Sequence, residues 1–180
     1  MTRDEALELV KSHIKTKNLI KHSLAVEASM RHLAKKFGED EDLWALAGLL
    51  HDLDYDYTKD NFNEHGFKTC EILGDKVDER IIYAIKAHPG WVPRKSKLDI
   101  ALYAVDPLTG LIIAACLMHP SKKLESLDAD FVMRRFKEKR FAAGCKREQI
   151  LECEKLGISL REFIEITLKA MQEIHDLLGL

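Results

Sequence analysis

The stretch that decides the fold is Leu43-Trp44-Ala45-Leu46-Ala47-Gly48-Leu49-Leu50-His51-Asp52. It is apolar around the whole helical circumference up to Leu50, which predicts a central, buried helix. A histidine and a carboxylate follow directly, where burial of an unpaired charge is costly. The pair therefore predicts a cation held by both side chains. Ala47 and Gly48, one turn earlier, would let a second helix approach closely.

Helical periodicity continues outward from this stretch in both directions. Before it, one set of residues recurs at three- and four-residue steps and is followed by Gly38, which should end the helix: Leu19, His22, Val26, Met30, Leu33 and Phe37. Thr2 with Glu5, and Ser159 with Glu162, have the spacing of helix-capping boxes. The first helix is predicted to reach about Ile14, and further helices are predicted at about 40–55, 62–73, 78–88, 97–118 (one helix or a pair), 147–156 and 159–178. A basic segment lies at about 128–143. No useful strand pattern exists, so the prediction is one all-α domain, a helical bundle over about 18–120 with a helical extension over about 121–180.

Composition indicates a soluble globular chain. Of the 180 residues, 46% are hydrophobic and 32% charged, and the net charge of -2 gives no overall attraction to nucleic acid or anionic lipid. The four cysteines lack CxxC spacing and the N-terminus does not have the pattern of a signal peptide, so a cytoplasmic setting is expected. Residues 98–118 are long and apolar enough to cross a membrane, but Asp99, Asp106 and Pro107 interrupt them. We expect a core helix there and no membrane association.

Two further polar residues lie at positions that should face the core. His22 is on the inner stripe of the second helix, and Asp106 is the lone acid of a long apolar run. Together with His51 and Asp52 they form a mixed nitrogen and oxygen donor set, which suits divalent Mn, Fe, Ni, Zn or Mg. An ion held there could lower the pKa of water and orient a phosphoryl group. His51, Asp52 and Asp106 are the predicted catalytic residues.

His65 and His88 extend the set toward a second ion. Asp52 could then bridge two metals, although both histidines could equally be surface or helix-capping residues. Asp54 could orient a ligand, or it could belong to a solvated acidic turn. One or two ions are therefore expected, and the sequence does not distinguish their identity.

The order His22, His51-Asp52, His65, His88, Asp106 resembles the HD superfamily of metal-dependent phosphohydrolases, in particular its dinuclear branch. Residues 104–111 and 136–144 resemble segments of small stand-alone HD proteins, so the resemblance covers about residues 20–170. It implies a helical fold and hydrolysis of phosphate esters, often in nucleotides. The Gly-Tyr-Pro signature of cyclic-di-GMP phosphodiesterases is missing, which argues against that activity.

The expected function is hydrolysis of a phosphate mono- or diester in a small, nucleotide-like, anionic substrate by a metal-activated water.

Residues 131–147 carry seven basic side chains and one acid. A solvated helix face is one interpretation, and phosphate capture by Lys137, Lys139 and Arg140 is the other. The Thr109 hydroxyl could bond substrate or only a neighbouring helix. Nucleic acid is disfavoured because no aromatic platform accompanies the run. Two alternatives remain, a dinuclear-iron oxygenase on the same fold and a non-catalytic nucleotide and metal sensor.

Overall fold

The computed structural model describes residues 1–180 and contains helices and loops without a strand. The all-α prediction is therefore confirmed. In chain order the α-helices are α1 (Arg3–His13), α2 (Lys17–Phe37), α3 (Glu41–Leu50), α4 (Tyr55–Thr58), α5 (Phe67–Leu73), α6 (Glu79–Ala87), α7 (Lys97–Met118), α8 (Ala129–Lys137), α9 (Arg147–Leu151), α10 (Leu160–Glu173) and α11 (His175–Leu178). Short 3₁₀ turns precede α5 and α8 and follow α9.

Helix ends follow the local sequence signals. The Thr2 hydroxyl accepts from the Glu5 backbone N–H while the Glu5 carboxylate accepts from the Thr2 N–H, which is the predicted capping box of α1. Gly38 ends α2 in the left-handed conformation, at φ 67°. At α10 the Ser159 hydroxyl accepts from the Glu162 N–H, as the spacing predicts.

Two predicted helices are shorter than expected. The third was predicted to reach about residue 55, but α3 ends at Leu50, and His51 and Asp52 lie in the turn that follows. The helix predicted at about 62–73 is divided at Gly66, whose φ of 83° interrupts it. The placement of His65 on a helix is therefore wrong, since it lies between a 3₁₀ turn and α5. Because neither His51 nor His65 lies within a regular helix, the direction of each side chain is not fixed by helical geometry.

Helices α2 and α3 pack tightly against each other at Gly48. A Cβ atom there would lie 2.8 Å from the Val26 carbonyl oxygen, so only glycine lets α3 pack this tightly on α2. The prediction that this part of α3 admits a neighbouring helix is confirmed. The contact brings His22 of α2 beside His51 at the end of α3, with ring centroids 5.2 Å apart.

Helix α7 runs unbroken through Pro107. Proline cannot donate to the carbonyl four residues earlier, at Tyr103, and the Gln149 side-chain amide donates to that oxygen instead at 2.8 Å. The helix is long and apolar enough to cross a membrane by composition alone. It packs against α2, α6 and α10, and 56% of its most apolar 18-residue stretch is buried. A core helix has the same composition, so the pattern does not by itself indicate a membrane span.

The C-terminal helices share the core of the bundle. Helix α10 packs on α2 and α7, and α8 packs on α7. Val132, Ile150 and Phe163 are fully buried in the same hydrophobic cluster as Val26 and Leu102. The predicted extension after residue 121 is thus continuous with the helices that carry the His/Asp pair.

Candidate metal centre

The four residues of the first predicted group converge from α2, α7 and the turn after α3. His22 Nε2 lies 3.0 Å from Asp106 Oδ1 and 3.6 Å from Asp52 Oδ2. His51 Nε2 lies 3.3 Å from Asp52 Oδ1 and 3.8 Å from Asp106 Oδ1. His51 and Asp52 are buried, whereas a quarter of the Asp106 side chain is exposed (25%). The group therefore has a closed inner side and an open side at Asp106.

The second group joins the first through Asp52. Its Oδ1 atom lies 3.3 Å from His65 Nε2 and 3.4 Å from His88 Nε2. These two nitrogen atoms are 3.1 Å apart, and both side chains are almost fully buried. Asp52 Oδ2 faces His22, whereas Oδ1 lies 3.3 to 3.4 Å from the Nε2 atoms of His51, His65 and His88. Asp52 thus contacts ligand candidates of both predicted groups, as a shared carboxylate would, and His51 adjoins the second group as well as the first.

The Nδ1 partners of the four histidines determine which ring nitrogen carries the proton. The Nδ1 atoms of His51 and His88 face backbone carbonyls, of Gly48 at 2.7 Å and of Ile85 at 2.6 Å. The Nδ1 atom of His65 faces a carboxylate oxygen at 2.7 Å. These partners only accept, so Nδ1 must donate, and in the neutral imidazole Nε2 keeps its lone pair.

The remaining histidine, His22, follows the same logic. Its Nδ1 lies 3.2 Å from the Thr109 hydroxyl, which already donates to the Asp106 backbone carbonyl at 2.9 Å. Thr109 must therefore accept from His22, and all four Nε2 lone pairs face carboxylate oxygens or one another. His51 Nε2 is buried with no hydrogen-bond partner at all. Lone pairs that converge in this way need a cation or extra protons between them, so the donor set fits divalent metal ions.

In the metal-free protein, protons take the place of the cations. Burial disfavours charge on His51, but the Asp52 carboxylate outweighs burial and raises the pKa of His51 to about 9. Burial likewise opposes charge on His65, while hydrogen bonds to Asp52 and Asp54 raise its pKa to about 9. Burial lowers the pKa of His88. Metal binding must therefore displace protons from His51 and His65.

Asp54 lies behind His65, with its side chain fully buried. Its Oδ1 accepts from His65 Nδ1, and its Oδ2 accepts from the backbone N–H groups of Gly66 and Thr69 at 2.8 and 2.9 Å. Burial raises the pKa of this carboxyl, but the hydrogen bond and charge of His65 together with the backbone donors of Thr69 and Gly66 outweigh burial, so the net shift is downward. This geometry matches the carboxylate–histidine pairs that orient metal ligands. The alternative of a solvated acidic turn does not describe Asp54.

A cavity of about 290 Å³ opens over the cluster. Its lining includes Phe62, His65, His88, Pro89, Asp106, Pro107, Gly144, Cys145, Lys146 and Gln149. Lys146 is the only lysine or arginine in this lining. It belongs to the basic segment, but sequence reasoning did not single it out, because nothing local distinguishes it from its basic neighbours.

The other basic candidates lie away from this cavity. Lys137 and Lys139 line an adjacent cavity, which shares Cys145 and Lys146 with the first, and Arg140 is exposed and lines neither. Thr109 is buried with its hydroxyl engaged by His22 and Asp106. A role in substrate binding for these four residues stays a prediction.

Arg147 stabilises the backbone of the basic segment through hydrogen bonds. Its guanidinium donates to the backbone carbonyls of Phe136, Ala142 and Cys145, and to three others of the same turn. The turn between α8 and α9 thereby wraps around one side chain. This places Lys146 over the His/Asp cluster although it is distant in sequence from every residue of the cluster.

Comparison with known proteins identifies the family. Residues 19–116 match the HD domain family, and the chain belongs to it. The chain is 34% identical to Ribonuclease Y of Oleidesulfovibrio alaskensis over 119 residues, and 35% identical to Ribonuclease Y of Desulfotalea psychrophila over 117 residues. These alignments cover 63% and 62% of this chain but only 22% of each relative.

A longer alignment reaches beyond the HD domain. Ribonuclease Y of Sulfurovum sp. is 27% identical over 165 residues, covering 88% of this chain and 32% of the relative. The chain thus spans about a third or less of the length of the curated relatives that it matches. No solved structure matches it significantly. Family and cluster together indicate a hydrolase of the HD class with His and Asp groups able to hold a divalent metal ion.

Proposed function

We propose that the chain hydrolyses a phosphate mono- or diester, with a nucleotide-like small molecule as substrate. The observation that carries the proposal is the convergence of four imidazole Nε2 lone pairs on Asp52 and Asp106 at the floor of an open cavity. His22, His51, Asp52 and Asp106 would hold one ion, and His65 and His88 would hold a second with Asp52 shared. When bound, divalent ions lower the pKa of water and neutralise developing phosphoryl charge.

The chain's own groups would position the substrate. Lys146 extends from the turn held by Arg147 and would bind the non-reacting phosphoryl oxygens. Asp106, the most exposed ligand candidate, lies on the side from which substrate enters. Pro89 and Pro107 form apolar parts of the wall that limit access of bulk water.

The test combines metal analysis with a panel of phosphomonoesters and phosphodiesters. Wild-type protein is reconstituted separately with Mn, Fe, Zn, Mg and Ni, and bound metal is counted by mass spectrometry. We expect Asp52→Ala protein to lose metal from both sites and to lose turnover. Full metal content and full turnover in this variant would refute the assignment.

Lys146 tests the phosphate contact separately from the metals. We expect Lys146→Gln to raise KM about tenfold or more at unchanged metal content, because one charge-assisted contact to phosphate is lost. The matched control is Arg134→Gln, which removes an exposed charge from the same basic segment outside the cavity. Equal effects of the two changes would indicate general electrostatics rather than a specific contact.

RNA is the second candidate substrate, because the aligned relatives are named Ribonuclease Y. The adjacent cavity lined by Lys137, Lys139 and Lys146 offers a basic surface next to the cluster. Parallel assays with a nucleoside monophosphate and a short oligoribonucleotide separate the two candidates. Cleavage of the oligomer with a steep salt dependence would favour RNA.

A further inference from the structure

Two exposed aromatic rings lie side by side at the cavity, with Phe62 in its lining and Trp91 next to Phe62. Phe62 is 47% exposed and Trp91 is 45% exposed. Their ring centroids are 6.1 Å apart with an interplanar angle of 68°. Neither residue belongs to the buried hydrophobic core. Large aromatic side chains stabilise a protein by burying apolar area. A pair that stays half exposed beside a polar site therefore indicates a surface that binds a ligand.

The inner ring of the pair is held in place by the metal cluster. Phe62 stacks on His65 with centroids 4.7 Å apart and an interplanar angle of 25°. One face of the phenyl ring therefore covers a candidate ligand of the second ion. Phe62 also lines the cavity that Asp106 and Lys146 line. A flat apolar surface and a phosphate-binding region thus adjoin within one cavity.

The second ring is carried by the loop between α6 and α7. Gly90 allows this loop to turn at φ 92°, and the Tyr83 hydroxyl donates to the Pro93 carbonyl at 2.7 Å. The loop thus turns just before Trp91 and is held by a hydrogen bond just after it. The Trp91 ring meets Phe62 edge-on, which forms an angled apolar corner rather than a continuous cover over the site.

We propose that Phe62 and Trp91 form a base-binding platform, so that the substrate is a nucleotide whose base stacks there while its phosphate reaches the His/Asp cluster. The proposal rests on the proposed function for the placement of the phosphate, and it goes beyond it by assigning the base. Base stacking on aromatic side chains tolerates any base and is strong enough to dominate selection between nucleotides and base-free phosphates.

Trp91 supplies a direct readout of binding. The chain has two tryptophans, and the other, Trp44, is only 3% exposed. We would titrate zinc-loaded protein with the phosphonate analogue of adenosine 5′-monophosphate, whose C–P bond resists hydrolysis, and with ribose 5-phosphate. We expect saturable quenching of tryptophan emission by the adenosine compound alone. A pentameric oligoadenylate, titrated in parallel, tells whether a free nucleotide or a strand end binds more tightly.

The Phe62→Leu variant distinguishes a platform that stacks on the base from an apolar side chain that only covers His65. Leucine keeps apolar surface over His65 but removes the stacking ring, so the dissociation constant for the adenosine phosphonate should rise about 5- to 100-fold. Inhibition of turnover by ribose 5-phosphate and the metal content should not change. The matched control is Tyr57→Leu, which removes an exposed ring outside the cavity.

The outcomes separate this proposal from the proposed function. Selective quenching without hydrolysis of any phosphate ester would keep the platform and reject the hydrolase. Hydrolysis with equal efficiency on nucleotides and base-free esters, and no quenching, would reject the platform and keep the hydrolase. Equal weakening of both ligands by Phe62→Leu would also overturn the platform, because that result describes a cover over His65.

Discussion

Replacement of Asp54 by asparagine should weaken the binding of one metal ion and leave the affinity for the other unchanged. In the native structure Asp54 Oδ2 accepts from two backbone N–H groups, those of Gly66 and Thr69. The single oxygen of asparagine must take over these two bonds, which turns its NH₂ group toward His65 Nδ1. That nitrogen must then accept, so the proton moves to His65 Nε2 and the lone pair facing Asp52 is lost.

The magnitude follows from the contacts that change. Loss of the partner that orients a metal-binding histidine costs about 10- to 100-fold in metal affinity, or about 1.4 to 2.7 kcal/mol. The metal-free protein should lose about 1.5 to 3 kcal/mol of unfolding free energy, because the hydrogen bond from His65 to a charged acceptor disappears. Asp54 has no hydrogen bond to His22, His51 or Asp106, so the affinity of the first site should not change.

The assay is zinc binding by calorimetry, with metal counted after dialysis at controlled free zinc. We expect wild-type protein to bind two ions and Asp54→Asn protein to bind one ion tightly and one about 10- to 100-fold more weakly. The control is Asp60→Asn, an exposed carboxylate of the same segment. Wild-type affinity for both ions in the Asp54→Asn protein, or equal loss from both sites, would refute the tautomer argument.

Three further predictions test packing, protonation and the basic turn. Gly48→Ala forces Val26 and α2 away from α3, so unfolding free energy should fall by about 1 to 3 kcal/mol and the affinity of the first metal should drop. In metal-free protein, His51 and His65 have pKa values raised to about 9, so their contribution to stability is complete below pH 6.5 and lost as pH rises through 9. Denaturation in chelator should therefore show falling stability over this range, while zinc affinity, measured by titration, should rise. Arg147→Met removes the donors that hold the turn, which should cost about 2 kcal/mol or more and expose residues 138–146 to limited proteolysis.

The helical class and the residues of the His/Asp cluster were accessible from sequence because both depend on local patterns. Apolar residues at three- and four-residue steps predict α2, and a long apolar run predicts α7, wherever these helices pack. Polar residues at core-facing positions, such as His22 and Asp106, stand out against that pattern. Helix ends were predicted where a capping residue or glycine marks them, and missed at Leu50, where the chain leaves the helix without such a signal.

The sequence by itself determined that this chain is a helical bundle with a cluster of histidines and carboxylates, because periodicity and the cost of burying charge act on every residue locally. Only the tertiary structure decided which nitrogen each histidine offers, since Gly48, Ile85, Asp54 and Thr109 reach the rings through the fold. It also decided that Lys146 rather than its basic neighbours lines the cavity. That choice depends on how the Arg147 side chain wraps a turn against helices far away in sequence, which no local pattern encodes.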